Sequence, residues 1–217
     1  MGVIVKKHVL HNVCTLIGLP MPPRPRFTRE MILKGALELT QRHGITAVTA
    51  RGIAGELGCS TAPIFTCFDS MEALQEALLD RIIATFVSAT KQSLDDDPLL
   101  AAGLGMVRFA AEEPRLYEAL FLTHHAYHFK WGPVRRDLAK TMTTYPRYDN
   151  LSEAECFGLI GRSSVVVHGL GVEVWSGRLP DASLPTLRRL LQQLAGPLVD
   201  ASISEGWTSD IHSEKPT

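Results

Sequence analysis

Between residues 27 and 205 the chain repeats one pattern: a residue that can cap a helix, apolar side chains about every 3.6 positions, and then glycine or proline. The first such segment can begin after Thr28 and end at Gly44. Its Ala36 and Leu39 fall on one face, which we expect to point inward. No segment shows the alternation of apolar and polar residues that is typical of a half-buried strand. The pattern therefore predicts an all-α fold of about nine helices.

Two short helical segments joined by a glycine follow. Thr49 can cap the first, and Gly58 stands where the chain needs the left-handed conformation to turn sharply. Ser60 can cap the second, whose Ile64 and Phe68 would face the same core as the first. This spacing is typical of a DNA-binding helix-turn-helix, although an ordinary helical hairpin would show the same pattern.

Two capping boxes predict the starts of longer helices. Asp69 and Glu72 form the first, for a helix that reaches about Lys91, and Ser152 and Glu155 form the second. Further helices are expected over residues 98–113, 114–124, 133–143 and 184–204.

Composition limits the class of protein. With 217 residues, 45% of them hydrophobic and 21% charged, the chain can bury a large core, which excludes disorder over most of its length. No run of 18 residues is free of polar breaks, so we expect no membrane span. The four cysteines are too scattered for a disulfide framework or a zinc knuckle. We therefore expect a reducing compartment, the cytoplasm.

Charge is distributed unevenly along the chain. From Arg24 to Arg51, six basic residues face two acidic ones, whereas from Ala73 onward 14 basic residues face 18 acidic ones. This asymmetry suggests that only the front half of the chain, before Ala73, binds a polyanion.

The two ends differ from the body. The apolar run near the start is interrupted by His8 and His11 and has no cleavage site, so a signal peptide is not expected. Four prolines between residues 20 and 25 predict an extended arm. Met21 could be the natural start, with residues 1–20 as upstream read-through, and both starts stay open. The polar residues 206–217 predict a frayed tail.

An ordered set of motifs runs through the front half. It consists of T-R-E at Thr28, an apolar helix followed by Gly44, T-A-V-T at residues 46–49, I-A-x-x-L-G at 53–58, I-F-x-x-F at 64–68 and M-E-A-L at 71–74. In this order the motifs resemble the DNA-binding domain of the TetR/AcrR family of one-component repressors. Downstream, residues 112–121 resemble the junction between the family's fifth and sixth helices, and residues 167–180 resemble the His-Gly motif of one C-terminal subfamily.

The resemblance covers about residues 27–205 and is stronger in the first part than in the second. It implies a division into an N-terminal arm, a helix-turn-helix DNA-binding domain, a ligand-binding and dimerisation domain and a flexible tail, at residues 1–26, 27–70, 71–205 and 206–217. The implied function is a regulator, most often a repressor, that binds a palindromic double-stranded DNA operator as a homodimer and is released by a small hydrophobic effector.

Transferred position by position, the resemblance also implies which residues meet DNA. They are Arg24, Arg26, Thr49, Arg51, Ser60, Thr61, Ala62, Phe65 and Thr66. The family often carries Tyr or His at positions 65–67 and a phosphate-binding Lys where this chain has Met71. No Arg, Lys, Asn or Gln lies between Cys59 and Phe68, so bidentate base contacts are missing and specificity should depend on hydroxyl and methyl contacts and DNA shape.

The rear half carries candidates for dimerisation and for a ligand pocket. The dimer candidates are small or leucine residues on the last two long helices: Gly158, Gly161, Leu187, Leu191, Leu194 and Leu198. Packing within one subunit is the alternative for the leucines. The pocket candidates are mostly apolar or aromatic: Phe86, Met106, Phe109, Tyr117, Phe121, His124, His168 and Trp175. For these, plain core packing is the alternative.

Other function classes find little support. The chain has no G-x-S-x-G, HExxH, P-loop or GxGxxG motif, so we expect no enzyme and no cofactor. His124, His125 and His128 have helical spacing for a metal but no matched carboxylate or cysteine nearby, so we expect no metal site. The alternative function is a dimeric helical ligand-binding protein whose sequence-specific DNA binding is weak or lost.

Overall fold

The computed structural model describes residues 26–92, 94–123 and 131–205. Within these ranges the fold is all-α, as predicted, with nine α-helices and no strand. The helices are α1 Arg29–His43, α2 Ala50–Leu57, α3 Ala62–Cys67, α4 Met71–Thr90, α5 Pro98–Glu112, α6 Pro114–Tyr117, α7 Trp131–Met142, α8 Glu153–Trp175 and α9 Leu184–Glu205. Short 3₁₀ turns occupy Ile45–Ala47 and Pro146–Tyr148, and a π-helical turn, Glu118–Leu122, continues α6.

Several predicted helix ends are confirmed. The Thr28 hydroxyl accepts the Met31 N–H at the start of α1, and the Thr49 hydroxyl accepts the Gly52 N–H at the start of α2. Gly58 ends α2 in the left-handed conformation, with φ 61° and ψ 40°. The capping box predicted at the start of α8 is present.

Two predicted caps are wrong. Ser60 does not cap α3, which begins two residues later and has no side-chain cap. Asp69 does not form a capping box, because α4 begins after Ser70 and the Ser70 hydroxyl accepts the Ala73 N–H. In both cases the helix begins one residue later than predicted, which is the usual uncertainty of helix ends inferred from sequence.

The first three helices and the start of α4 share one core. Ile32, Ile53, Ile64, Phe68 and Leu74 are all buried in it. Each of these elements therefore contributes a side chain to the same core, and α2 and α3 both pack on α1.

In the rear half α5 and α8 pack along each other, and α9 packs against both. A methyl group at Gly105 would lie about 2.6 Å from the Thr90 Cα, so α4 and α5 approach closely only because this position is glycine. A second buried cluster, which includes Met142, Tyr148 and Val199, joins α7 and α9 to the start of α8.

The two halves are joined through α4 and α6. Leu74 of α4 is buried in the front core, whereas Phe86 of the same helix is buried in the rear half. α6 packs on α1, and the Gln41 amide donates to the Glu113 carboxylate at 3.1–3.2 Å. Among the described residues no helix is both long enough and apolar enough to cross a membrane.

Candidate nucleic-acid interface and ligand cavity

α3 has one buried face and one exposed face. Ile64 is fully buried, whereas its neighbour Phe65 is 53% exposed. Ser60, Ala62 and Thr66 are exposed as well, and Thr61 is partly exposed. The exposed face therefore carries hydroxyl, methyl and phenyl groups and no charge.

The charges of the front half separate into paired and unpaired cations. Lys34 pairs with Glu38 at 3.7 Å, and Arg42 pairs with Glu56. By contrast, within residues 26–70 the predicted DNA contacts Arg26 and Arg51 are exposed and have no carboxylate within 4.0 Å. The unpaired cations can bind an external anion without first breaking an ion pair.

Thr49 has a structural role beside the predicted one, because its hydroxyl caps α2. The exposed hydroxyl keeps its own hydrogen for a phosphate oxygen. Of the predicted DNA contacts, Arg24 lies outside the described residues.

Arg29 is a third arginine of this region without a carboxylate partner among the described residues, and it was not among the predicted DNA contacts. Its guanidinium lies 4.0 Å from the centre of the Phe68 ring and donates to the Cys67 carbonyl at 3.3 Å. The T-R-E motif marked the residue, but nothing local in the sequence places it against the end of α3.

A cavity of about 1750 Å³ lies in the rear half, between α4, α5, α7, α8 and α9. Four of the predicted pocket residues line it: Phe86, Met106, Phe121 and His168. Three others, Phe109, Tyr117 and Trp175, are not among its lining residues and pack elsewhere in the core, as the alternative interpretation of the sequence allowed. His124 lies outside the described residues.

The inner wall of the cavity is aromatic. Phe121 stacks on Trp131 with ring centres 5.2 Å apart, and Phe86 meets both rings edge to face. Phe121 belongs to the π-helical turn, a local insertion that is frequent at functional sites. Trp131 was not predicted, since the sequence before α7 gave no sign that its first residue turns inward.

His168 joins this wall to a residue behind it. The Tyr117 hydroxyl lies 3.1 Å from His168 Nδ1, and the two rings are stacked. Burial raises the pKa of Tyr117 and lowers the pKa of His168. Both groups are therefore neutral at pH 7, and this part of the cavity wall carries no charge.

The opposite end of the cavity is polar, and its charges are paired. The Tyr148 hydroxyl donates to both oxygens of Asp97 at 2.9 Å. Arg147 donates to Asp97 at 3.0 Å and to Asp200 at 2.6 Å. These contacts hold the start of α5, the Pro146–Tyr148 turn and α9 together, and burial raises the pKa of Tyr148.

The leucines of α9 that were predicted to form a dimer interface differ in exposure. Leu187 and Leu191 are buried in the core of their own subunit, so they have no surface for a second copy. Leu198 is partly buried against the second cluster. Leu194 is 54% exposed and remains available. The helical spacing of leucines predicts an apolar face of the helix, but it does not tell which neighbouring element covers that face.

The two glycines of the predicted stripe, Gly158 and Gly161, are both buried within α8. Further along the same helix Val165 is 56% exposed, and it was not among the predicted dimer residues. Since α8 and α9 pack against each other, Val165 and Leu194 are exposed apolar residues on two adjacent helices.

No group of three His, Cys, Asp or Glu side chains that could hold a metal ion occurs in the part of the chain that the structure describes. The candidate histidines His124, His125 and His128 lie outside it.

Comparison with known proteins agrees with this architecture. Residues 32–78 match the family described as bacterial regulatory proteins, tetR family. An uncharacterized HTH-type transcriptional regulator of Bacillus subtilis (strain 168), YobS, is 23% identical over 109 residues. The matched part is 48% of this chain and 57% of the relative, so it spans little more than half of that protein. The helix-turn-helix region of the chain, residues 32–78, is therefore similar to that of the tetR family of bacterial regulatory proteins.

Proposed function

We propose that the protein is a DNA-binding transcriptional regulator that represses as a homodimer on a palindromic operator and is released by a small hydrophobic effector. In this proposal residues 27–70 and the arm before them bind DNA, and residues 71–205 bind the effector and the second subunit. The observation that carries it is the outward face of α3, where Phe65 is 53% exposed while Ile64 beside it is fully buried.

The proposed contact places α3 in the major groove. Ser60, Thr61 and Thr66 supply hydroxyl groups, and Ala62 and Phe65 supply apolar contacts to thymine methyl groups. Arg26 and Arg51, which have no acidic partner among the described residues, bind phosphates on either side. Arg24, on the preceding arm, enters the adjacent minor groove. Because the operator DNA lies in the cytoplasm, we propose that the protein acts there.

The proposed dimer uses the exposed apolar residues of the last two long helices. A single helix-turn-helix contacts few bases, so a two-fold pair is needed to read two half-sites one helical turn apart. Val165 on α8 and Leu194 on α9 are each more than half exposed. A second copy packed on these helices would cover both side chains.

The proposed effector occupies the cavity beside Phe86, Phe121 and Trp131. Aromatic walls and a neutral His168 favour an uncharged or apolar molecule. α4 offers the link to DNA, because Phe86 lines the cavity and Leu74, on the same helix, belongs to the front core. A tilt of α4 on binding would change the separation of the two α3 helices in the dimer.

Selection of DNA by the purified full-length protein tests the proposal. From a random duplex library we expect a two-fold symmetric sequence, bound with steep salt dependence. Phe65→Ala should lose most of the preference for the selected duplex over a scrambled one. Met31→Ala, which removes another exposed apolar side chain of the same domain, is the matched control and should retain it.

The alternative function, a dimeric ligand-binding protein without a DNA target, predicts a different result. In that case the wild-type affinity is the same for selected and scrambled duplexes. The uncharged face of α3 is the feature that favours this alternative, so the scrambled duplex is an essential part of the experiment.

A further inference from the structure

Arg29 is the first residue of α1, yet two contacts hold its guanidinium at the carboxyl end of α3. One nitrogen donates to the Cys67 carbonyl at 3.3 Å, and the guanidinium carbon lies 4.0 Å from the centre of the Phe68 ring. Stacking on an aromatic face and bonding to a fixed carbonyl restrict the long side chain before any ligand arrives. The cation is therefore positioned on α3 although it belongs to another helix.

The charge of this arginine is not neutralised locally. Its neighbour Glu30 is engaged by Arg81 of α4. Among the described residues no carboxylate lies within 4.0 Å of the Arg29 guanidinium. Other cations of α1 differ, because Lys34 and Arg42 pair with glutamates. Of these three cations of α1, Arg29 beside α3 has no carboxylate partner among the described residues, whereas the other two are paired.

α3 itself lacks any cation. From Cys59 to Phe68 there is no Arg or Lys, and the carbonyl groups at the end of the helix carry partial negative charge that would repel a phosphate. Arg29 covers one of these carbonyls, Cys67, and its remaining N–H groups are available for a further acceptor. A guanidinium matches the geometry of two phosphate oxygens.

We propose that Arg29 binds a phosphate of the DNA backbone and supplies the positive charge that α3 lacks. This inference rests on the proposed function, since it needs α3 to lie in the groove. The interaction positions α3 on the duplex and does not select bases, because phosphates are the same for every sequence.

The test measures the salt dependence of binding to the duplex selected by the wild-type protein, with the full chain and its variants. Removing one phosphate interaction lowers the slope of log K against log salt by about 0.9, so the slope for a two-fold dimer of Arg29→Gln should fall by about 1.8. Arg29→Lys keeps the charge and should keep most of the slope. Lys34→Gln makes the same charge change on the same helix at an ion-paired residue and should leave the slope unchanged.

The outcomes separate this inference from the proposed function. A wild-type protein that selects no duplex overturns both. A wild-type protein that binds its duplex with a steep slope, while Arg29→Gln keeps that slope, overturns only the role of Arg29. A fall in slope that is equal in Arg29→Gln and Lys34→Gln also overturns it, because the effect is then one of net charge. Thermal melts of each variant check that the packing of α1 on α3 remains intact.

Discussion

The Tyr117 hydroxyl and His168 Nδ1 lie 3.1 Å apart, so the residue that ends α6 is bonded to a residue of the cavity wall. α6 packs on α1 of the front half, and Tyr117 is fully buried. The pair therefore connects the cavity wall, through α6, to α1, the helix on which α3 packs. It also shows why a pocket candidate can be important without touching the cavity.

Tyr117→Phe should destabilise the protein by about 1 kcal/mol, because it removes the hydrogen bond between the fully buried Tyr117 side chain and the partly buried His168. Urea unfolding followed by far-UV circular dichroism measures the change. Tyr145→Phe is the control, since no hydrogen bond of the Tyr145 hydroxyl is present among the described residues, and it should change stability by less than about 0.5 kcal/mol. Equal effects in the two variants would contradict the special role of the Tyr117 hydroxyl.

Gly171→Ala should destabilise the protein by about 1–3 kcal/mol through overpacking. The added methyl carbon would lie about 3.0 Å from the Tyr117 Cζ and closer still to its oxygen, and the buried ring has no room to move. Gly169→Ala, two residues earlier on α8, meets nothing within 4 Å and should stabilise the helix by about 0.5–1 kcal/mol. Thermal melts should show a lower melting temperature for Gly171→Ala and a higher one for Gly169→Ala. Two variants of equal stability would refute the close approach of Gly171 to Tyr117.

The partly buried His168 predicts a pH dependence of stability. Burial lowers its pKa, so the unfolded chain binds a proton more readily than the folded one. Stability is then complete above the unfolded pKa, which is about 6.5, and is lost as pH falls toward the lower folded pKa. His168→Gln removes this group, so the free energy of unfolding measured between pH 5 and 7 should fall less steeply in the variant, and an unchanged slope would contradict the prediction.

Much of the front half could be predicted because its signals are local. Thr28, Thr49 and Gly58 each act within a few residues, through a cap or a left-handed turn. Ser60 and Asp69 were wrong as caps for different reasons: α3 begins without any side-chain cap, whereas at α4 the neighbouring Ser70 caps the helix in place of Asp69.

The candidate sites depend more on contacts between distant parts of the chain. Arg29 and Cys67 are 38 residues apart, and Tyr117 and His168 are 51 apart. No local pattern reports such contacts. The leucine stripe of α9 was correct in indicating an apolar face, but Leu191 faces its own core and Leu194 faces outward, a difference that only the placement of α5 and α8 creates.

Leu194→Glu should separate a dimer without unfolding the subunit. The side chain is 54% exposed, so a carboxylate there is solvated in the monomer but would be buried without a partner in the proposed interface. Sedimentation equilibrium should show the wild type as a dimer and the variant as a folded monomer, with weaker binding to the selected duplex. Leu191→Ala is the contrasting variant: it is 2% exposed, and we expect it to cost about 2–5 kcal/mol of stability while the remaining folded protein stays dimeric. A Leu194→Glu protein that remains a dimer would move the interface away from this face, because α9 could not then bury the new carboxylate against a second copy.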